Sequence, residues 1–212
     1  MNISTGSLDF DQFLGNGYHA DLLTGIYGEA GTGKTTLAML AAVDQAKKGK
    51  KVFFIDTETG FSIERMLQIC DDKMLFHKIL VIKVKSFDEQ SLYIEHLKEL
   101  KDWKDIGLII VDSLSSFYRV EAKQNLLNNQ MANQLKLLSY IAQEHHIPVL
   151  TTHQVYTDLD TQERKMVGGN MVHNWCKVLI HLEKGKTRKA YLVKPEQRTF
   201  HFVIVDTGIK AV

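Results

Sequence analysis

Cysteine, proline and net charge are all scarce in this chain of 212 residues. Its two cysteines, Cys70 and Cys176, stand far apart, which leaves no disulfide framework and makes a reducing, cytoplasmic setting the expectation. The prolines are Pro148 and Pro195 alone, and no repeat, low-complexity run or linker-like tract marks a boundary, so residues 1–212 read as one domain. The 26 basic and 25 acidic side chains leave a formal charge of +1, which removes a molecule-wide field as the means of attracting nucleic acid or a membrane surface. Any basic face must be local. No apolar run approaches the ~18–20 residues of a membrane span, and the start, MNISTGS, lacks the charged and apolar regions of a signal peptide. What is present, 44% hydrophobic and 24% charged residues, is ordinary globular usage and excludes wholesale disorder, collagen and coiled coil.

Short β-rich runs alternate with longer helical patterns through the first two thirds, the signature of βαβ units around a parallel sheet. Nearly continuous apolar runs at residues 23–27, 52–56, 80–84, 108–112 and 148–152 predict strands covered on both faces. Apolar residues at three- and four-residue steps predict helices over 34–48, 62–70, 88–101 and 125–145, the last carrying Leu127, Met131, Leu135, Leu138 and Ile141. Beyond Gly168 the spacing tightens. Strands at 178–183, 190–194 and 200–205, joined by turns at 184–189 and 195–199, predict an antiparallel extension at one end of the sheet. The expected fold is α/β, a mostly parallel sheet flanked by helices.

Gly28-Glu29-Ala30-Gly31-Thr32-Gly33-Lys34-Thr35 satisfies G-x-x-x-x-G-K-[ST] between a predicted strand and a predicted helix, the context a phosphate-binding loop requires. Glycines let the backbone curl so that successive N–H groups face phosphate oxygens, and the helix N-terminus adds its dipole. Lys34 would reach the β- and γ-phosphates, and the Thr35 hydroxyl would ligate Mg²⁺. With Thr36 on the opening helix, these residues form the candidate nucleotide-binding set. The competing reading is a Gly-rich turn before an ordinary helix. Residues 108–112, LIIVD, end in Asp112, the expected acidic partner of the Mg²⁺ shell, although such strand ends also cap turns. Residues 52–56 lead into Asp56-Thr57-Glu58, where Glu58 is the candidate for positioning the attacking water; capping of the helix near Ser62 is the alternative.

Taken together, these residues resemble the RecA-like recombinases, most closely the RadB group of small archaeal paralogues. The resemblance covers nearly the whole chain. It includes Gly6-Ser7-Leu8-Asp9, Ile55-Asp56-Thr57-Glu58, Phe61-Ser62-Ile63-Glu64-Arg65, Asp112-Ser113, Thr151-Thr152-His153-Gln154 and Gly168-Gly169-Asn170. It implies a P-loop ATPase core with ATP and Mg²⁺, a catalytic Glu58, an adenine contact for Arg65 and a γ-phosphate sensor at Gln154. It also implies a flexible second DNA-binding segment over residues 155–167 and a first one after Phe117-Tyr118-Arg119. The core begins almost at Met1 and no Phe-x-x-Ala polymerisation motif occurs, so a monomer or small oligomer without an N-terminal DNA-binding domain is expected rather than a long filament.

Single-stranded DNA binding combines backbone cations with aromatic platforms. Tyr118, Arg119, Lys123, Tyr156, Arg164 and Lys165 supply that set, and Lys177, Lys184, Lys186, Arg188, Lys189, Lys194 and Arg198 make the last third locally basic. A solvated strand edge is the other reading of that basic cluster. His173 and Cys176 are too few for a closed metal site, and no zinc is expected. The leading function is an ATP-dependent, weakly hydrolysing DNA-binding accessory protein of recombination and repair, partnered by single-stranded or branched DNA and by a recombinase or junction resolvase. The alternative is a nucleotide-gated interaction module, KaiC-like or helicase-like, without a direct DNA role.

Overall fold

Residues 2–119, 124–158 and 162–212 are described in a computed structural model of the chain. Two short strands, β1 (Asn2–Ile3) and β2 (Tyr18–His19), pair around α1 (Leu8–Leu14). The alternating part follows as β3 (Leu23–Gly28), α2 (Lys34–Lys47), β4 (Lys51–Asp56), α3 (Ile63–Ile69), β5 (Ile79–Lys83), α4 (Phe87–His96), β6 (Ile106–Asp112), α5 (Gln124–His145) and β7 (Val149–His153). A hairpin of β8 (Val155–Thr157) and β9 (Arg164–Met166) and the short α6 (Gly169–Trp175) lead to β10 (Val178–Glu183), β11 (Arg188–Lys194), β12 (Arg198–Val205) and β13 (Gly208–Ala211).

Nine strands form one sheet in the order β13-β12-β11-β10-β3-β7-β6-β4-β5. From β10 to β5 every pairing is parallel, and from β10 to β13 every pairing is antiparallel. The predicted extension is therefore present and gains a fourth strand, β13. Successive residues of β6 serve opposite layers: Leu108 and Ile110 pack towards α1, α2 and α3, whereas Ile109 and Val111 pack towards α4, α5 and α6. Both faces are apolar, which is why these strands read as continuous hydrophobic runs.

Serine caps start three helices. The Oγ atoms of Ser7, Ser62 and Ser86 accept from the backbone N–H of Phe10, Arg65 and Glu89. Helix α2 begins at Gly33 without a side-chain cap, as α6 does at Gly168. The helix predicted over 88–101 instead ends at His96 and tightens into a 3₁₀ turn at Leu97–Glu99. At the end of the sheet away from the phosphate loop, Trp103 stacks on His145 with ring centroids 3.7 Å apart and planes 5° from parallel. Among the described residues, no helix is long and apolar enough to cross a membrane.

Candidate nucleotide site

The phosphate-loop residues lie between the end of β3 and the start of α2, as their sequence order demands. A Cβ at Gly28 would stand 2.3 Å from the Leu182 carbonyl oxygen on neighbouring β10, so no larger residue fits there. Gly33 holds φ at 109°, a conformation open to glycine, and leaves the first N–H groups of α2 without a side-chain cap. Lys34 is buried, and its Nζ donates to the carbonyls of Gly28 at 2.8 Å and Glu29 at 2.9 Å. Burial pulls its pKa below the ordinary lysine range, while the carboxylates of Glu58, Asp112 and Glu29 act in the opposite direction.

The carboxyl ends of four parallel strands bring the remaining candidates together. Thr35 donates to Asp112 Oδ2 at 2.7 Å, and Thr152, at the end of β7, donates to Oδ1 of the same carboxylate. Burial pushes the Asp112 pKa up, against the lowering effect of the two hydroxyl donors. Glu58 is exposed, and both its carboxylate oxygens accept from Gln154 Nε2, at 3.0 and 2.9 Å. Neither Asp56 nor Glu58 caps α3. Asp56 accepts from the backbone N–H groups of Gly60 and Phe61 at 3.0 and 3.2 Å and so shapes the loop that presents Glu58, while Ser62 caps the helix. Thr57 ties that loop to the end of β6 by donating to the Ser113 carbonyl at 2.8 Å.

His153, beside Gln154, is fully buried. Its Nε2 lies 2.9 Å from Thr151 Oγ1, and its Nδ1 has no hydrogen-bond partner among the described residues. Burial, with the positive charge of Lys34 behind it, lowers its pKa to about 3.

Arg65 is held by structure instead of waving in solvent: its guanidinium donates to the carbonyls of Val205 at 2.8 Å and Asp206 at 3.0 Å and to Gln68 Oε1 at 2.7 Å. It therefore sits against the β12–β13 turn. The segment expected to be flexible over 155–167 contains the β8–β9 hairpin, closed at its base by Val167 N–H donating to the Gln154 carbonyl at 2.9 Å. Two of its cations are committed within the molecule: Arg164 pairs with Glu29 at 2.8 Å and Lys165 with Asp158 at 2.7 Å. Tyr156 is exposed. The Tyr118 hydroxyl donates to Asn128, while residues 120–123, with the candidate Lys123, and the Arg119 side chain lie outside the described residues. Within the basic cluster, Lys177, Lys194 and Arg198 bond to the Asn174 carbonyl, the His173 carbonyl and Glu196, and Arg188 donates to the Gly31 carbonyl at 3.2 and 3.3 Å. Lys184, Lys186 and Lys189 are exposed. Cys176 is buried, which pushes its thiol pKa up to about 12.

Sequence reasoning gave Thr152 and Thr57 no role, and it read Arg164 and Arg188 as DNA-facing cations, not as partners of Glu29 and Gly31 in the phosphate loop. Thr152 lies within the quoted Thr151–Gln154 segment, but only the placement of β6 beside β7 shows it turned onto Asp112.

The family model described as Rad51 matches residues 1–211. The chain belongs to the Rad51 family. Within that family it groups with RadB. It is 36% identical to the DNA repair and recombination protein RadB of Archaeoglobus fulgidus over 219 residues, covering 99% of this chain and 98% of that one. It is 34% identical to the RadB of Methanococcoides burtonii over 212 residues, 94% of this chain and 93% of that one. A solved structure described as the RadB recombinase superposes with a TM-score of 0.86 at 33% identity and covers 99% of both chains. The fold is thus the RecA-like one of the Rad51 family. Nucleotide and Mg²⁺ dependence accompany this relationship in general, and the residues fit both. Thr35 and Asp112 offer hard oxygen donors 2.7 Å apart, and the uncapped start of α2 offers N–H donors beside Lys34.

Proposed function

We propose that this Rad51-family chain is an ATP- and DNA-binding accessory protein of homologous recombination and DNA repair. It hydrolyses ATP weakly and modulates a recombinase or a Holliday junction resolvase instead of carrying out full strand exchange. Its 212 residues act as one core domain, as a monomer or small oligomer. The observation that supports this best is the Thr35–Asp112 contact at 2.7 Å, which gathers the metal-ligating oxygens beside the phosphate loop.

Bound ATP with Mg²⁺ supplies the transferable phosphoryl group and a divalent charge that holds it. The loop N–H groups and the α2 N-terminus cradle the phosphates, and Lys34 turns from the Gly28 and Glu29 carbonyls towards them. Thr35 and Asp112 hold the metal, with Thr152 fixing the carboxylate's orientation. Glu58 orients the attacking water, and Gln154 exchanges the Glu58 carboxylate for the terminal phosphate and passes its presence to the hairpin. Arg65 offers its guanidinium plane to the adenine while anchored on the 205–206 turn. Tyr156, Lys165 and the exposed Lys184, Lys186 and Lys189 form the DNA face.

The experiment is a titration of a fluorescent ATP analogue with Mg²⁺, followed by anisotropy of labelled single-stranded DNA at increasing salt. Saturable nucleotide binding and salt-sensitive DNA binding are expected. Absence of nucleotide binding, or of DNA binding in low salt with and without ATP, overturns the proposal. The engagement of Glu58 by Gln154 also suits a nucleotide-gated interaction module in which turnover is incidental. A protein carrying E58Q that keeps its effects on DNA and on a recombinase while losing hydrolysis favours that version.

A further inference from the structure

Beside the phosphate loop lies a polar cavity of about 420 Å³. Glu29 and Ala30 of the loop, Glu58, Gln154, and Tyr156 and Arg164 of the hairpin line it. Two carboxylates thus face this space against one cation among its described lining residues. A phosphoryl group carries ~1.5–2 negative charges at neutral pH, so its approach to Glu29 and Glu58 is opposed unless a positive charge moves with it. Lys34 occupies the floor of the loop. Arg164 stands at its rim, with Nη1 2.8 Å from Glu29 Oε2 and its side chain 59% exposed.

We infer that Arg164 is a same-chain ligand of the nucleotide's terminal phosphate, parked on Glu29 until that phosphate arrives. The inference rests on the phosphate site proposed above. Its chemistry is favourable on both sides of the exchange. A solvent-exposed Arg–Glu pair holds weakly, whereas a guanidinium fork matches phosphate oxygens in a bidentate way. The exchange needs a side-chain rotation from the second residue of the very loop that wraps the phosphates. It also acts on the hairpin from both strands. Arg164 opens β9 opposite Thr157, and Gln154 immediately precedes β8, so both resting contacts, Arg164–Glu29 and Gln154–Glu58, release together when the terminal phosphate is present. A cation of this kind is often borrowed from a neighbouring protein. Here the chain carries its own, and a monomer is competent to use it.

The test compares ATP and ADP affinity, each with Mg²⁺, for the wild-type protein and for R164A, R164K and E29Q. For R164A, ATP affinity is expected to fall by about tenfold while ADP affinity stays within about twofold, with R164K intermediate because it keeps the charge but loses the fork. E29Q, which frees Arg164, is expected to raise the ATP preference. An R164A protein with wild-type discrimination, or an E29Q protein with unchanged or lower ATP preference, overturns the inference while leaving the phosphate site intact. A wild-type protein that binds no adenine nucleotide overturns the proposed function instead. Mixing K34A with R164A decides whether the cation acts within one chain. No restored turnover is expected, and restored turnover would place the arginine in a neighbour's site and overturn the same-chain assignment.

Discussion

His153 has a consequence for stability that its neighbours Thr152 and Gln154 do not. Folded, it stays neutral down to about pH 3; unfolded, it takes up a proton near the ordinary imidazole value of 6.5. Below that value the unfolded chain binds more protons, so stability falls as pH drops from about 6.5 towards 3, by up to about 1.4 kcal/mol per pH unit. The urea midpoint of the wild-type protein should decline between pH 7 and pH 5, and H153N should show a flatter decline. Comparing the two slopes removes the opposing contribution of Asp112, whose raised pKa favours the folded state on acidification. Equal slopes would show that His153 titrates with solvent. For Glu58, replacement by Gln should cost about 10²-fold or more in hydrolysis and leave ATP affinity within a few-fold, measured by single-turnover kinetics and nucleotide titration. Lys34, Thr35, Asp112 and Glu58 were legible because a motif or a strand end announces them. The roles of Thr152 and Arg188 at the loop were not, since their partners Asp112 and Gly31 lie 40 and 157 residues away in sequence and meet them only once the sheet is assembled.

Among the elements, α2 shows how the loop is held against the sheet. Ala38, Ala41 and Ala42 are fully buried, so small side chains line the helix where it meets its neighbours. Ala41→Leu adds volume where no space exists and should destabilise by about 1–3 kcal/mol, read as a lower Tm by calorimetry. A wild-type Tm would mean that α2 can shift outward. The parallel strands were visible in sequence because burial on both faces makes them continuous apolar runs, as in Ile106–Asp112. By contrast, β1, β2, β8 and β9 span two or three residues each, too short for any periodicity. Helix α6 opens on Gly169 and Asn170 behind a left-handed Gly168, residues that argue for a turn, and Val172 is its one fully buried side chain.

For the whole molecule, polarity matters more than net charge. The phosphate loop, Glu58, Asp112 and Gln154 all gather at the carboxyl ends of the parallel strands, as ligand sites in open α/β sheets do. With a formal charge of +1, the proposed DNA binding must draw on local lysines, so the affinity for single-stranded DNA should fall linearly with salt on logarithmic axes. Reversing the exposed Lys186 and Lys189 together to Glu should shallow that slope, measured by anisotropy, without changing nucleotide affinity. An unaltered slope would place the nucleic acid elsewhere. The two tryptophans, Trp103 and Trp175, stand in different parts of the fold, and replacing one leaves the other to be followed alone. Trp103 and His145 lie face to face far from the loop, and global unfolding parts them, so emission from that indole follows whether the sheet is intact. Trp175 ends the helix that follows the hairpin, so in a W103F background a change in its emission on adding ATP with Mg²⁺ is expected if the hairpin answers the nucleotide, and an unchanged spectrum would show that α6 does not follow it.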